Sequence, residues 1–137
     1  MDNARLVGHL YAAFERGDIA YIVNQLADDV EWVVFGPSSV PFTGAYYGRD
    51  AVRRFFSVIH ATQNNPRVAV TEIVASGKTV VASVRYSGQV SATGGAFDTS
   101  AVHIFTCRGG RIASLRDYFD TAQLAAAYAA PARSAAA

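Results

Sequence analysis

Apolar side chains recur along residues 3–16 at helical spacing. Leu6, Leu10 and Phe14 stand four apart with Val7 and Tyr11 beside them, the stripe of an amphipathic helix that packs on something apolar. Gly17 supplies a stop, and Asp18 is placed to cap a second helix whose buried side is Ile19, Ile22, Val23 and Leu26, so the pair reads as a helical hairpin. After Asp28 and Asp29 the β-branched and aromatic run Val30–Phe35 predicts a strand, which Gly36 and Pro37 end. A loop then runs from Gly36 to Gly48; its Gly and Pro content and its aromatic residues Phe42, Tyr46 and Tyr47 raise the question of a lid. Helical spacing returns over Arg49–Gln63 through Val52, Phe55, Phe56 and Ile59, and Asn64, Asn65 and Pro66 break it.

The remainder is β-rich. Val68–Ala75, Thr79–Ala92, Phe97–Cys107 and Arg111–Phe119 are separated by Gly77-Lys78, Gly94-Gly95 and Gly109-Gly110, three hairpin points that imply antiparallel pairing. Thr121–Tyr128 reads as a short helix, and an alanine-rich stretch follows from Pro131. The expected organisation is one domain over residues 1–130 and a flexible tail over 131–137. An α+β fold follows, with helices gathered on one face of a mostly antiparallel, strongly curved sheet. A hollow between them is the default place for a ligand.

Composition narrows the chemistry. Hydrophobic residues make up 51% of the 137 positions and charged ones 17%, enough apolar content for one core. Twelve basic residues against eleven acidic leave a net charge of +1, too little field to gather nucleic acid or an anionic membrane surface. Cys107 is the single cysteine, so neither an internal disulfide nor a multi-cysteine zinc site is expected. His9 and His60 fall on helices without companions at ligand spacing, so no metal is assigned, and no cofactor is expected. No run of roughly 18–20 apolar residues spans a bilayer, and Asp2, Asn3 and Arg5 stand where a secretion signal would be apolar; the expected location is cytoplasmic. Ser76-Gly77-Lys78-Thr79 imitates the end of a phosphate-binding loop, but Glu72 occupies the position of its first glycine. No serine lies in a Gly-x-Ser-x-Gly setting, which leaves acid–base chemistry as the enzymatic option.

Several strings, in order, carry a family likeness: Leu10-Tyr11-Ala12-Ala13-Phe14 into Gly17-Asp18, Leu26 through Trp32, Tyr47 through Val52, and His103-Ile104-Phe105-Thr106 through Gly110 to Asp117-Tyr118-Phe119-Asp120. Together they resemble the SnoaL-like branch of the superfamily that includes nuclear transport factor 2 and ketosteroid isomerase. The resemblance implies a cone-shaped α+β barrel with an enclosed pocket, and a homodimer through the outer face of the sheet. Relatives include isomerases, polyketide cyclases, epoxide hydrolases, dehydratases and proteins without catalysis, so the fold alone assigns no reaction. Ketosteroid isomerases use an aspartate base and an oxyanion hole of a tyrosine and a protonated aspartic acid. Those positions align with Val34, Leu10 and His103, Tyr11 being one residue off the face, so that mechanism is not expected intact. His103 and Asp117 instead resemble the histidine and aspartate on the last long strands of SnoaL-type cyclases.

Whether these two can meet depends on hairpin register. A bare two-residue turn at Gly109-Gly110 would set 103 against 116 and turn Asp117 to the opposite face. A three-residue loop of Arg108, Gly109 and Gly110 with a G1 bulge sets Cys107 against Arg111 and 103 against Leu115, and leaves His103 and Asp117 on one face; it is preferred because it keeps Arg116 out of the interior. Two readings of the pair then stand: general acid/base His103 with Asp117 orienting it or acting as second proton-transfer group, or an imidazole that merely satisfies a buried carboxylate. Trp32, Tyr86, Phe56, Phe14, Val34 and Leu115 are the candidate substrate-binding walls for an apolar ligand of up to polycyclic size, with simple core packing the competing reading for Trp32 and Tyr86 and the stronger one for Phe14 and Phe56. The chain is then a cofactor-independent isomerase, cyclase, lyase or epoxide hydrolase, or else a non-catalytic binding or dimerisation module.

Overall fold

The Asp2 carboxylate accepts a hydrogen bond from the Arg5 backbone N–H and starts helix α1 (Asn3–Glu15), which buries Leu6, Val7, Leu10, Tyr11 and Ala13. Gly17 turns the chain at φ +74°, and Asp18 caps α2 (Ile19–Asn24) through the Tyr21 N–H. This computed structural model describes residues 2–130, so the expected tail at 131–137 lies outside the described residues.

Leu26, expected on the second helix, instead opens strand β1 (Leu26–Val34). The Ile112 N–H donates to the Gln25 carbonyl at 2.9 Å and draws the chain into the sheet there, and the Leu26 side chain is fully buried. The segment expected as a loop over 36–48 holds a second strand, β2 (Gly44–Tyr47), antiparallel to β1. Val40 and Phe42 in the same segment are each 1% exposed. Their apolar mass is too far apart in sequence to show a period, yet it plugs into the core.

Helix α3 (Arg49–Thr62) is tied to β1 by the Arg49 guanidinium, which donates twice to the Leu26 carbonyl. Strand β3 (Gln63–Ser76) begins earlier than expected, because Asn65 at φ +50° and Pro66 occupy an irregularity between the paired residues Asn64 and Arg67 and do not end the strand. Then follow β4 (Thr79–Val90), β5 (Ala96–Arg108), β6 (Arg111–Phe119) and α4 (Thr121–Ala129). The sheet order is β2-β1-β6-β5-β4-β3, antiparallel except for the parallel pair β1–β6, so the α+β architecture holds. Helices α1 and α3 pack across the sheet, and α4 packs against β5 and β4. Among the described residues no helix is long and apolar enough to cross a membrane.

The β5–β6 hairpin corrects the expected three-residue loop. Its tip is the two-residue turn Gly109-Gly110, both left-handed at φ +58° and +76°, between the paired Arg108 and Arg111. The extra residue sits further along: Cys107 pairs with Ile112 and Thr106 with Ser114, so Ala113 is bulged out. From there Phe105 faces Leu115, His103 faces Asp117 and Ala101 faces Phe119. The bulge restores the parity that a bare two-residue turn would have lost, so His103 and Asp117 share a face and stand directly opposite each other.

Phe42 tests whether the 36–48 segment belongs to the core. Phe42→Ala is expected to cost about 3–5 kcal/mol, the range for truncating a buried aromatic, measured by urea unfolding; a loss under about 1 kcal/mol, ordinary for an exposed site, contradicts that placement.

Candidate functional site

Between the helices and the sheet lies a cavity of about 80 Å³. His103, Asp117, Trp32, Tyr86, Phe56, Phe14 and Leu115 all line it, as their face assignments require. Val34 is the exception among the expected wall residues: it pairs in register with Asp117 and is buried in the wall without reaching the cavity. Tyr11 and Phe42 are among the lining residues that sequence reasoning did not place in the site, with Leu10, Ile22, Phe55, Ile59, Val68 and Phe105. Tyr11 stands four residues after Val7 and three before Phe14, a helical spacing that could have placed it inward, whereas Phe42 left no periodic signal.

The walls stay apart because the aromatic rings brace one another. Trp32 meets Phe55 at 5.7 Å and Phe56 at 5.8 Å between centroids, and Phe55 meets Phe56 at 5.0 Å, all tilted or edge-to-face. Rings so interlocked cannot fold into the hollow without losing those contacts. The space is about half of the roughly 150 Å³ cavity known to take a benzene ring.

Tyr11 reaches from α1 to β5, its hydroxyl 2.6 Å from His103 Nδ1, with the two rings nearly parallel. Burial, and next the charge of Asp117, raise the Tyr11 phenol well above its ordinary value, so it keeps its proton. In the imidazole tautomer protonated at Nε2 the phenol donates to Nδ1, and in the other tautomer it accepts from it. Nε2 lies 3.2 Å from Asp117 Oδ1, close enough for attraction but out of line for a hydrogen bond, and Oδ1 is left as a buried acceptor without a donor. The His103 and Asp117 side chains keep 13% and 12% of their surface, so a molecule in the cavity can touch both. Among the described residues no lysine or arginine lines the space.

Tyr86 behaves differently. Its hydroxyl donates to Gln63 Oε1 at 2.7 Å, the Gln63 amide donates to the Tyr128 hydroxyl at 3.0 Å, and Thr62 lies 2.7 Å from that same hydroxyl. This chain ties α3, β3 and α4 together, and the polar end of Tyr86 is thereby satisfied within the wall. Cys107 is buried, and burial pushes its thiol up, away from the reactive thiolate.

The buried phenols fix an alkaline limit. Burial raises both Tyr11 and Tyr86, so the folded protein holds protons that the unfolded chain releases near pH 10; their contribution is complete below that pH and is lost as pH rises above it. Urea unfolding between pH 8 and 11.5 should show stability falling above about pH 10, near the ordinary tyrosine value. Tyr11→Phe is expected to flatten that fall while costing about 1–3 kcal/mol at neutral pH for the unmet Nδ1. An unchanged alkaline slope in Tyr11→Phe contradicts the protonated Tyr11 phenol.

Residues 7–115 match the SnoaL-like domain family. An uncharacterized protein of Mycobacterium tuberculosis is 29% identical over 114 residues, covering 83% of this chain and 86% of the relative. Among solved structures, an NTF2-like protein of unknown function from Burkholderia pseudomallei is 28% identical at a TM-score of 0.87, covering 95% of this chain and all of that one. TerC, co-crystallized with polyporic acid, is 25% identical at a TM-score of 0.82, over 90% of this chain and 95% of its own. With the curved sheet, the hollow beneath the helices and a match over most of its length, the chain belongs to the SnoaL-like family.

Proposed function

We propose that this protein binds a small, largely apolar molecule in the cavity and moves a proton on it, with His103 and Asp117 as the transfer pair. The observation that carries the reading is a carboxylate and an imidazole set opposite each other on adjacent strands, inside a space whose other walls are mostly apolar. Low polarity strengthens the charge interactions of such a pair, and Tyr11 occupies Nδ1 so that Nε2 is the nitrogen left for the ligand. A histidine kept only to satisfy the carboxylate would donate to it in line; this one does not. Asp117 accepts a proton from the ligand, His103 donates one through Nε2, and their return restores both groups. That cycle suits an isomerase, cyclase, lyase or epoxide-hydrolase type of reaction without a cofactor. The volume favours a ligand smaller than the polycyclic skeleton anticipated from the family likeness. A similar structure crystallised with an organic acid supports a ligand-taking role for this fold.

The proposal includes a homodimer through the outer sheet face. Val102 and Tyr118 pair there, Tyr118 stacks on Phe35 at 4.6 Å, and all three are exposed with Val74 on the same face. Sedimentation equilibrium is expected to give twice the 14.6 kDa chain mass, and Val102→Arg to give the single mass; a monomeric wild type overturns the dimer.

The proton-transfer reading is tested by exchange of the α-hydrogens of acetone in D₂O, followed by NMR. Asp117→Asn and His103→Ala, each checked for a folded spectrum, are expected to slow exchange about 10²–10⁴-fold, the usual worth of a positioned acid or base. Rates unchanged in both variants overturn it.

A further inference from the structure

Among the described residues, two buried side-chain atoms have no hydrogen-bond partner: Trp32 Nε1 and Asp117 Oδ1. One is a donor and the other an acceptor; both atoms are themselves sealed from water, while other atoms of the same two residues line one cavity. A buried indole N–H normally finds a partner, because leaving it unmet forfeits the hydrogen bond that it makes with water in the unfolded chain. The other donors on the wall obey this rule: Tyr11 meets His103 and Tyr86 meets Gln63. Trp32 is 5% exposed and packed against the carbon rings of Phe55 and Phe56, so nothing else in its surroundings compensates the loss.

The placement of Trp32 gives the orphan a use. Trp32 pairs with Leu115 across the parallel β1–β6 ladder, and Asp117 lies two residues further along β6 on the same face. Diagonal neighbours of this kind have Cα atoms about 8 Å apart, from strand spacing and rise, a span that a ligand of a few atoms bridges between the side chains.

We propose that Trp32 is the polar anchor of the ligand: a small turn of the ring opens its indole N–H to the cavity, where it donates to an acceptor oxygen, a carbonyl in the simplest case, and turns the neighbouring acidic hydrogen toward Asp117 and His103. Trp32 is thus a specificity-determining residue and more than an apolar wall. The site selects small molecules with an acceptor oxygen over hydrocarbons of the same shape. As the proton leaves carbon, negative charge gathers on that oxygen, and the same N–H stabilises it more strongly than in the ground state. This rests on the cavity being the ligand site of the proposed function.

Trp32 is the single tryptophan of the chain, so its indole proton gives one resonance that needs no assignment. Titration with acetone is expected to move that resonance downfield to saturation, whereas isobutene, its shape-matched hydrocarbon, should not. Trp32→Phe keeps a ring but removes the donor. It should leave the urea midpoint unchanged or raised, weaken acetone binding at least tenfold, and leave isobutene binding unaltered. An indole resonance that stays put as the ketone is raised to the highest concentration at which the protein stays folded overturns the anchor, even if Trp32→Phe does not fold. So does a folded Trp32→Phe that binds the ketone as well as wild type. A downfield shift without any catalysed α-hydrogen exchange keeps the anchor and removes the proton-transfer function. Exchange that depends on Asp117 but has the same KM and kcat in Trp32→Phe does the reverse.

Discussion

The register between β5 and β6 is the constraint on which the interior depends. Side chains alternate faces along a strand, so a slip of one residue would turn Asp117 outward and bring Arg116 into the core. Two local features share the work: a left-handed glycine pair at the tip, and one residue bulged out at Ala113. Neighbouring strands hold the result in place. The Cys107 N–H donates to Lys78 at 2.7 Å on one side, and the Phe35 N–H donates to the Asp117 carbonyl at 3.1 Å on the other. The backbone of Asp117 is therefore bound into the ladder while its carboxylate looks into the hollow.

Polar groups inside the fold fall into two sets with different physical status. Thr62, Gln63, Tyr86 and Tyr128 satisfy one another and join α3, β3 and α4. A network of this kind contributes rigidity, since breaking the Tyr86–Gln63 bond at its centre leaves a buried group unpaired. Tyr11, His103, Asp117 and Trp32 form the second set, in which the imidazole is held at one nitrogen while a carboxylate oxygen and an indole N–H lack partners. Incomplete satisfaction costs stability, and it is concentrated around one space braced open by aromatic rings. That contrast separates the wall from the candidate site more sharply than burial does, because each set mixes buried and half-buried residues.

Much of the architecture was legible in the sequence. Helix caps at Asp18, the spacing of Phe55, Phe56 and Ile59, and the glycine pairs between β-rich runs each report a local preference, and local preferences were sufficient for the order of elements. Legibility failed where distant contacts overrode them. Leu26 fits a helical stripe but is captured by β6, Asn65-Pro66 looks like an end but only bends a strand, and Val40 and Phe42 sit among turn-forming residues yet fill the core. At the site, His103 and Asp117 were readable as sharing a face, but by way of a turn that the hairpin does not use.

By itself, the sequence determined the sequence of helices and strands, the family likeness and the inward face of the last two strands, because periodicity and turn chemistry act over a few residues. Tertiary structure alone decided that Tyr11 clasps His103, that Val34 stands beside Asp117 yet outside the cavity, and that the Trp32 indole N–H is left without a partner. Those facts depend on where an entire helix lies across a curved sheet and on which buried groups happen to meet. No short stretch of residues encodes such distances.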